Sequence, residues 1–282
     1  MAEGTVEANG ITLWYETFGE QADPALVLIM GTGGQSLVWP EVLCERLTAG
    51  GRYVIRFDSR DTGLSQYFGG DVPYTEEDLA DDVAGLLDAL GVARAHIVGA
   101  SLGGRIGQHL ALRHPLQVLT LTSIMASPYT AAEAAEHGMP SMQPAVLQFA
   151  ATLAGPPPAA REERIEREVG LWRVLWGALP FEEDEVRARA ARTVDRAWRP
   201  EATAHHQAAT MRSPSRLERP RTLRTPTLVI HGTADPFMPY PHGVATAETI
   251  PGAKLLAITG MGHALPRACW DRMIDAILKH TA

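Results

Sequence analysis

The stretch Ala95-His96-Ile97-Val98-Gly99-Ala100-Ser101-Leu102-Gly103-Gly104 decides how the rest of the chain is read. Ala95 to Val98 is a short, largely apolar run with β-branched residues, and it reads as a buried parallel strand. From Leu102 to His114, apolar residues at Leu102, Ile106, Leu110 and Leu112 mark a helix, and Pro115 stops it. A strand that turns directly into a helix with serine at the corner is a nucleophile elbow. The turn is so sharp that side chains on either flank would collide with the neighbouring strand and helix, hence Gly99 and Gly103. The corner serine is expected in strained backbone geometry, its hydroxyl projecting above the sheet.

Working outward, the same alternation of strand and helix recurs. Thr12 to Phe18 alternates with period two, and Ala25 to Met30 is a continuous apolar run, as a strand buried on both faces should be. Tyr53 to Phe57 is a further short strand. Thr75 and Asp78 form a capping box for a helix whose Leu79, Val83, Leu86, Leu87 and Leu90 share one face, with Gly91 at its C-terminal end. Val118 to Met125 is a strand after the elbow helix. From about Pro128 to Pro220 the pattern changes to charged amphipathic helices, Arg161–Trp176 and Glu182–Trp198 among them, broken at Pro156-Pro157-Pro158, Pro180 and Pro200. Strands return at Thr227 and Lys254, and a helix from Pro266 to His280 ends the pattern. The reading is an α/β fold with a mostly parallel sheet, covered on both faces by helices. Residues 1–127 and 221–282 form its core, and residues 128–220 a helical cap above the edge where such sheets bind ligands.

Bulk properties narrow the function. The 282 residues suit one α/β core with an insertion, and 45% hydrophobic residues supply a sizeable interior. A net charge of −8 argues against nucleic acid and against docking on an anionic membrane. No apolar stretch reaches the length of a membrane span, and the first residues carry no secretory pattern. Cys44 and Cys269 lie far apart and have no metal-type spacing, so a reduced, cytoplasmic protein is expected. Self-association is left open.

A serine hydroxyl needs a base, normally histidine, and the base needs a carboxylate to orient it. Ten histidines compete. His263 lies in the glycine-rich loop Thr259-Gly260-Met261-Gly262-His263, between the last strand and the last helix, on the elbow's edge of the sheet. His96, His109, His114 and His280 sit on elements that cannot face the serine. His137 and the pair His205-His206 fall in the cap and read as surface or packing residues. Asp235, in His231-Gly232-Thr233-Ala234-Asp235-Pro236, follows the Thr227 strand; the position after the preceding strand, Met125-Ala126-Ser127-Pro128, offers no carboxylate. The order Ser101, Asp235, His263 is that of nucleophile-elbow enzymes. Two N–H donors for an oxyanion are expected from Leu102, at the helix start, and from the loop Met30-Gly31-Thr32-Gly33-Gly34. Thr32 is favoured there, with Gly31 or Gly33 as alternatives. The loop lacks the Gly-Lys-Ser/Thr ending of a phosphate loop.

Together these residues resemble the α/β-hydrolase superfamily, from about Val6 to His280. The segment Asp58-Ser59-Arg60-Asp61-Thr62-Gly63-Leu64-Ser65 is similar to that superfamily's acidic-Arg-Gly-Ser segment, whose role would be to shape the oxyanion loop. Leu28-Ile29-Met30-Gly31, Trp39-Pro40, Arg56 to Gly63 and Gly260-Met261-Gly262-His263 resemble the aclacinomycin methylesterase-like branch, in which Met30 replaces the usual histidine. The resemblance implies a triad of Ser101, Asp235 and His263 that hydrolyses a carboxylic ester through an acyl-enzyme, with no cofactor and no metal. It suggests a small-molecule methyl ester of bulky or polyketide-like character. Met30, Trp39, Met142, Phe149, Trp172, Trp176 and Phe237 are the candidate substrate-binding residues, each equally suited to core packing. C–C bond hydrolases, lactonases and cofactor-free haloperoxidases share the apparatus, and a ligand receptor can retain the fold.

Overall fold

A computed structural model describes residues 2–70, 74–153, 155–214 and 219–282. The chain runs β1 (Ala2–Ala8), β2 (Ile11–Phe18), β3 (Ala25–Ile29), α1 (Glu41–Ala49), β4 (Tyr53–Phe57), α2 (Glu76–Ala89), β5 (Ala95–Ala100), α3 (Leu102–Arg113) and β6 (Val118–Ile124). Among the described residues, the helices α4 (Ala131–Glu136), α5 (Pro144–Thr152), α6 (Arg161–Leu175), α7 (Glu183–Ala197), α8 (Ala202–Arg212) and α9 (Arg219–Thr222) follow. The chain then completes β7 (Thr227–Gly232), α10 (Pro241–Thr249), β8 (Lys254–Ile258) and α11 (Trp270–His280).

The strands form one sheet in the order β1-β2-β4-β3-β5-β6-β7-β8. β1–β2 and β2–β4 pair antiparallel, and the rest pair parallel. Period-two alternation explains the unbroken apolar run of β3. Val27 and Ile29 pack with Leu79, Val83 and Leu87 of α2 and Ile106 and Leu110 of α3. Leu26 and Leu28 face the opposite side, with Leu43 and Leu47 of α1 and Met273, Ile274 and Ile277 of α11. Each such fully buried side chain stabilises the fold by about 1.5–3 kcal/mol relative to exposure.

Local signals hold where they are strong. The Thr75 hydroxyl accepts from Asp78 N–H and the Asp78 carboxylate from Thr75 N–H, a complete capping box. Gly91 past the end of α2 has φ +68°. β1 is an addition to the expected pattern. It is a mostly exposed edge strand carrying Glu3 and Glu7, so it has no apolar stripe. Its register comes from the Asn9-Gly10 turn, with φ of +51° and +77°, the hairpin dipeptide that joins two twisted strands. The last helix begins later than expected, at Trp270, after a 3₁₀ turn over Arg267–Cys269.

Helices α4–α9 all fall between β6 and β7. Ile165, Val169, Trp176, Val186, Ala190 and Val194 give α6 and α7 an apolar cluster of their own, which Ala264 joins. α8 is anchored differently. Its Ala209 enters the main core, and its Thr210 Oγ1 donates to buried Glu76 Oε1 at 2.9 Å. No helix among the described residues is long and apolar enough to cross a membrane.

Candidate active site

Parallel β3, β5, β7 and β8 point their C-terminal ends to one edge, so the loops that follow them gather there. The elbow after β5 is the tightest of these. Ser101 has φ +57° and ψ −121°, a strained conformation for a residue with a side chain. It is held by its own N–H, which donates to Ile124 O at 2.8 Å, and by glycines around it. A Cβ on Gly99 would overlap the Gly103 carbonyl, and one on Gly103 would overlap the Ile29 carbonyl. A Cβ on Gly104 would come within 2.8 Å of Ala126 Cβ and Ser123 Oγ.

The three polar groups read from the sequence meet at this corner. His263 Nδ1–H donates to Asp235 Oδ2 at 2.8 Å, which leaves Nε2 to accept from Ser101 Oγ–H at 2.9 Å. Asp235 is set by an Asx turn, its Oδ1 accepting from Phe237 N–H at 2.9 Å and Met238 N–H at 2.7 Å. His231, fully buried, lies 3.5 Å from the same carboxylate and donates from Nε2 to Met238 O at 2.7 Å. Burial is the main cause holding its pKa below the ordinary histidine value. The His263 loop is pinned by the insert: His263 N–H donates to Leu175 O at 2.7 Å and Gly262 N–H to Trp176 O at 3.0 Å.

The N–H groups of Leu102, the first residue of α3 after Ser101, and of Thr32, next to Gly31, have no protein acceptor among the described residues. Gly31 presses on Ser101, where a Cβ would sit 2.8 Å from Ser101 Cβ. Gly33, the other alternative, is excluded as an oxyanion donor, because its N–H donates to His206 Nδ1 at 3.1 Å. The acidic-Arg-Gly-Ser segment braces this loop. Buried Asp58 accepts from Ser36 N–H and Oγ–H, both at 2.8 Å, from Leu64 N–H at 3.0 Å and from Arg196 Nη1 at 2.6 Å.

The candidate substrate residues separate. The Phe237 ring lies 4.7 Å from the His263 ring, centroid to centroid. Met30 is buried and packs over Gly34. Trp39 is a core residue and not a pocket wall: it is 0% exposed among Phe18, Leu43 and Leu47, and its carbonyl accepts from Arg56. Trp176 packs inside the insert, edge-on to Phe181, with Nε1–H donating to Pro180 O at 2.9 Å. Trp172 lies between the insert and the core with the Arg189 guanidinium stacked on it, Phe149 lies against Gly170, and Met142 is exposed.

His206, Thr203, Gln35 and Arg196, which brace the oxyanion loop, escaped the sequence reading. His206 was visible as half of a histidine pair, but its partner Gly33 lies 173 residues away, and no local pattern signals such a contact.

No group of three or more His, Cys, Asp or Glu side chains among the described residues is arranged to hold a metal ion.

Comparison with known proteins places this geometry. A family model described as "alpha/beta hydrolase fold" matches residues 24–266. The chain is 38% identical over 288 aligned positions to rhodomycin D methylesterase DauP of Streptomyces sp. (strain C5), covering 98% of this chain and 97% of that one. It is likewise 38% identical to rhodomycin D methylesterase DnrP of Streptomyces peucetius, over 96% and 95% of the two chains. Among solved structures, the esterase from Exiguobacterium antarcticum superimposes with a TM-score of 0.80 at 19% identity, covering 98% of each chain. A match of this extent, on a chain whose serine turns the corner between β5 and α3, makes it a member of the α/β-hydrolase fold family and a hydrolase.

Proposed function

We propose that the chain is a serine carboxylic-ester hydrolase that cleaves a methyl ester on a bulky, polyketide-like small molecule through an acyl-enzyme. The observation that carries the reading is the relay of Ser101 Oγ, His263 Nε2 and Nδ1, and Asp235 Oδ2 at 2.9 and 2.8 Å. Those distances suit a base within reach of the proton it abstracts, and an orienter behind it. As Ser101 Oγ attacks the ester carbonyl, its proton passes to His263 Nε2. Asp235 holds the ring in the tautomer with Nδ1–H and stabilises the imidazolium. The carbonyl oxygen becomes an oxyanion that the N–H groups of Thr32 and Leu102 receive, each strong donor contributing about 3–4 kcal/mol to the barrier reduction. Collapse expels methanol, protonated by His263. Water, deprotonated by the same imidazole, then attacks the acyl-enzyme and releases the acid and Ser101.

The choice of a methyl ester rests on the likeness to the two methylesterases. The choice of an apolar substrate rests on the Phe237 ring beside His263. Catalysis in this scheme draws on side chains and backbone alone. A cytoplasmic setting fits the free, buried thiols of Cys44 and Cys269, whose pKa values burial pushes up to about 12 and about 11.

The test pairs a fluorophosphonate probe with a substrate panel. Wild type should be labelled at Ser101 and should release methanol from aromatic methyl esters, and Ser101→Ala should do neither. Cleavage of a vinylogous 1,5-diketone or a lactone in preference to every ester would transfer the site to C–C or lactone hydrolysis. Absence of labelling, with ligand affinity unchanged in Ser101→Ala, would make the chain a receptor.

A further inference from the structure

We propose that His206 of α8 is a positioning residue for ester hydrolysis: it fixes the oxyanion loop, so that the helical insert completes the oxyanion hole. The inference rests on the reading of Ser101 as acyl nucleophile.

Gly33 N–H donates to His206 Nδ1 at 3.1 Å, and His206 Nε2 lies 2.9 Å from Arg60 O. A backbone N–H can only donate and a carbonyl can only accept. The ring must therefore carry its proton on Nε2 and present Nδ1 bare. It is 1% exposed, so neither bond competes with water. On the same helix Thr203 closes the space above Gly33, where φ is +67° and a Cβ would overlap Thr203 Oγ1.

The rest of the loop is tied to the insert as well. Gln35 Nε2 donates to Ala197 O at 2.7 Å and to Thr193 O at 3.1 Å, both on α7, and Gln35 Oε1 accepts from Arg196 Nη1 at 2.9 Å. On the other side Gly31 is wedged against Ser101. Thr32 thus hangs between two immobilised peptides, and its N–H direction follows from them. Without the His206 bond the Thr32–Gly33 peptide is released, Thr32 loses its downstream anchor, and its own N–H, in the preceding Gly31–Thr32 peptide, can turn away from the oxyanion. A displacement of about 1 Å at such a donor is enough to lower turnover by about 100-fold.

A purely architectural role is separable, because α8 is docked independently. Ala209 lies in the core, Thr210 bonds Glu76, and Ser213 Oγ accepts from Glu76 N–H at 2.9 Å. His206→Phe keeps a ring of similar size and removes the acceptor. His206→Asn restores one, since its Oδ1 can stand where Nδ1 stood.

The experiment measures hydrolysis of the best methyl ester of the panel by the full chain. His206→Phe should lose about 10- to 100-fold in kcat with KM changed less than about threefold, and His206→Asn should recover most of it. A trifluoromethyl ketone reports the oxyanion directly: the Ser101 Oγ–C bond forms, its proton goes to His263, and the carbonyl oxygen becomes the anion. Its affinity should fall by the same factor as kcat. Unchanged kcat in His206→Phe, a loss confined to KM, or failure of His206→Asn to recover would overturn the positioning role. Should His206→Phe not fold, nitrogen-15 shifts of His206 in the wild type decide. Protonated Nε2 with bare Nδ1 supports the role, and the opposite tautomer ends it. Ser101→Ala tests the separate reading: turnover surviving there removes the serine mechanism, whereas its loss beside intact His206→Phe kinetics removes only the positioning role.

Discussion

The elbow around Ser101 and the oxyanion loop around Thr32 share one edge of the sheet but are held by different means. The elbow is fixed by its own chain: a hydrogen bond from Ser101 N–H to neighbouring β6, and glycines whose missing Cβ atoms let backbone touch backbone. The loop is fixed from a distance by side chains of α7 and α8, 158 to 173 residues away in sequence. The backbone geometry of Ser101 is thus a property of the core, while the oxyanion loop, like the loop of the base His263, also leans on the insert. A change of insert that alters substrate preference can therefore also alter turnover.

The largest effect should come from Asp235→Asn, which breaks the relay behind the elbow serine. Asn keeps an oxygen for the Asx turn with Phe237 and Met238, so the loop should stand. Its amide cannot accept from His263 Nδ1–H, and the ring adopts the wrong tautomer. We expect kcat to fall about 10⁴-fold with the thermal midpoint nearly unchanged. A loss of less than tenfold in steady-state assays would show that Asp235 does not orient the base.

Gly103→Ala comes next. The added Cβ has nowhere to go, because the Ile29 carbonyl it would strike belongs to the central strand β3. Destabilisation of about 3 kcal/mol in urea titration and a fall in kcat/KM of about 10³-fold are expected. Near-normal activity would mean that the elbow can relax, and the contrast between the two regions would weaken.

That contrast also marks what could be read from the sequence. Gly99, Ser101 and Gly103 were legible because their constraint is local, and Asp235 and His263 because parallel strands deliver them to one edge. β1 lacks a strand signal because its outward face carries Glu3 and Glu7 in place of an apolar stripe; what marks it is Asn9-Gly10. His206 read as ordinary packing because nothing near it in sequence names Gly33. Trp39 and Trp176 were plausible pocket walls by composition, yet they bury large rings in core and insert, since hydrophobicity alone does not say which surface a ring faces. The insert is the region where contacts between distant segments decide most, and hence where one sequence says least.

Arg196→Gln attacks the distant brace. It removes the hydrogen bond to Gln35 and the pair with buried Asp58, whose carboxylate keeps Ser36 and Leu64 as donors. We expect about 2–3 kcal/mol less stability and a kcat lowered by about tenfold, with fluorophosphonate labelling of Ser101 slowed to match. Slower labelling without lost stability would sharpen the contrast. Lost stability with full labelling would restrict Arg196 to holding the insert in place.

The smallest effect concerns acid. His96 lies in β5, the strand that delivers Ser101, with Nδ1 2.9 Å from Thr120 Oγ1. Burial, ahead of the charges of Arg52 and His280, lowers its pKa from 6.5 to about 4. Between those values the unfolded chain binds a proton that the folded chain refuses, so stability rises with pH across the window. Its contribution is complete above about pH 6.5 and is lost progressively as pH falls towards 4. On this basis the wild type should lose about 1–2 kcal/mol at pH 5 relative to pH 8 through this group. His96→Gln, which cannot take up the proton, should show a correspondingly shallower decline in urea midpoints. Specific activity of the variant at pH 8 should match the wild type, because the imidazole supports the strand and does not reach the rim. Parallel declines in the two proteins would show that acid sensitivity arises elsewhere, with His206 the next group to examine, since burial lowers its pKa too and a protonated Nδ1 could no longer accept from Gly33.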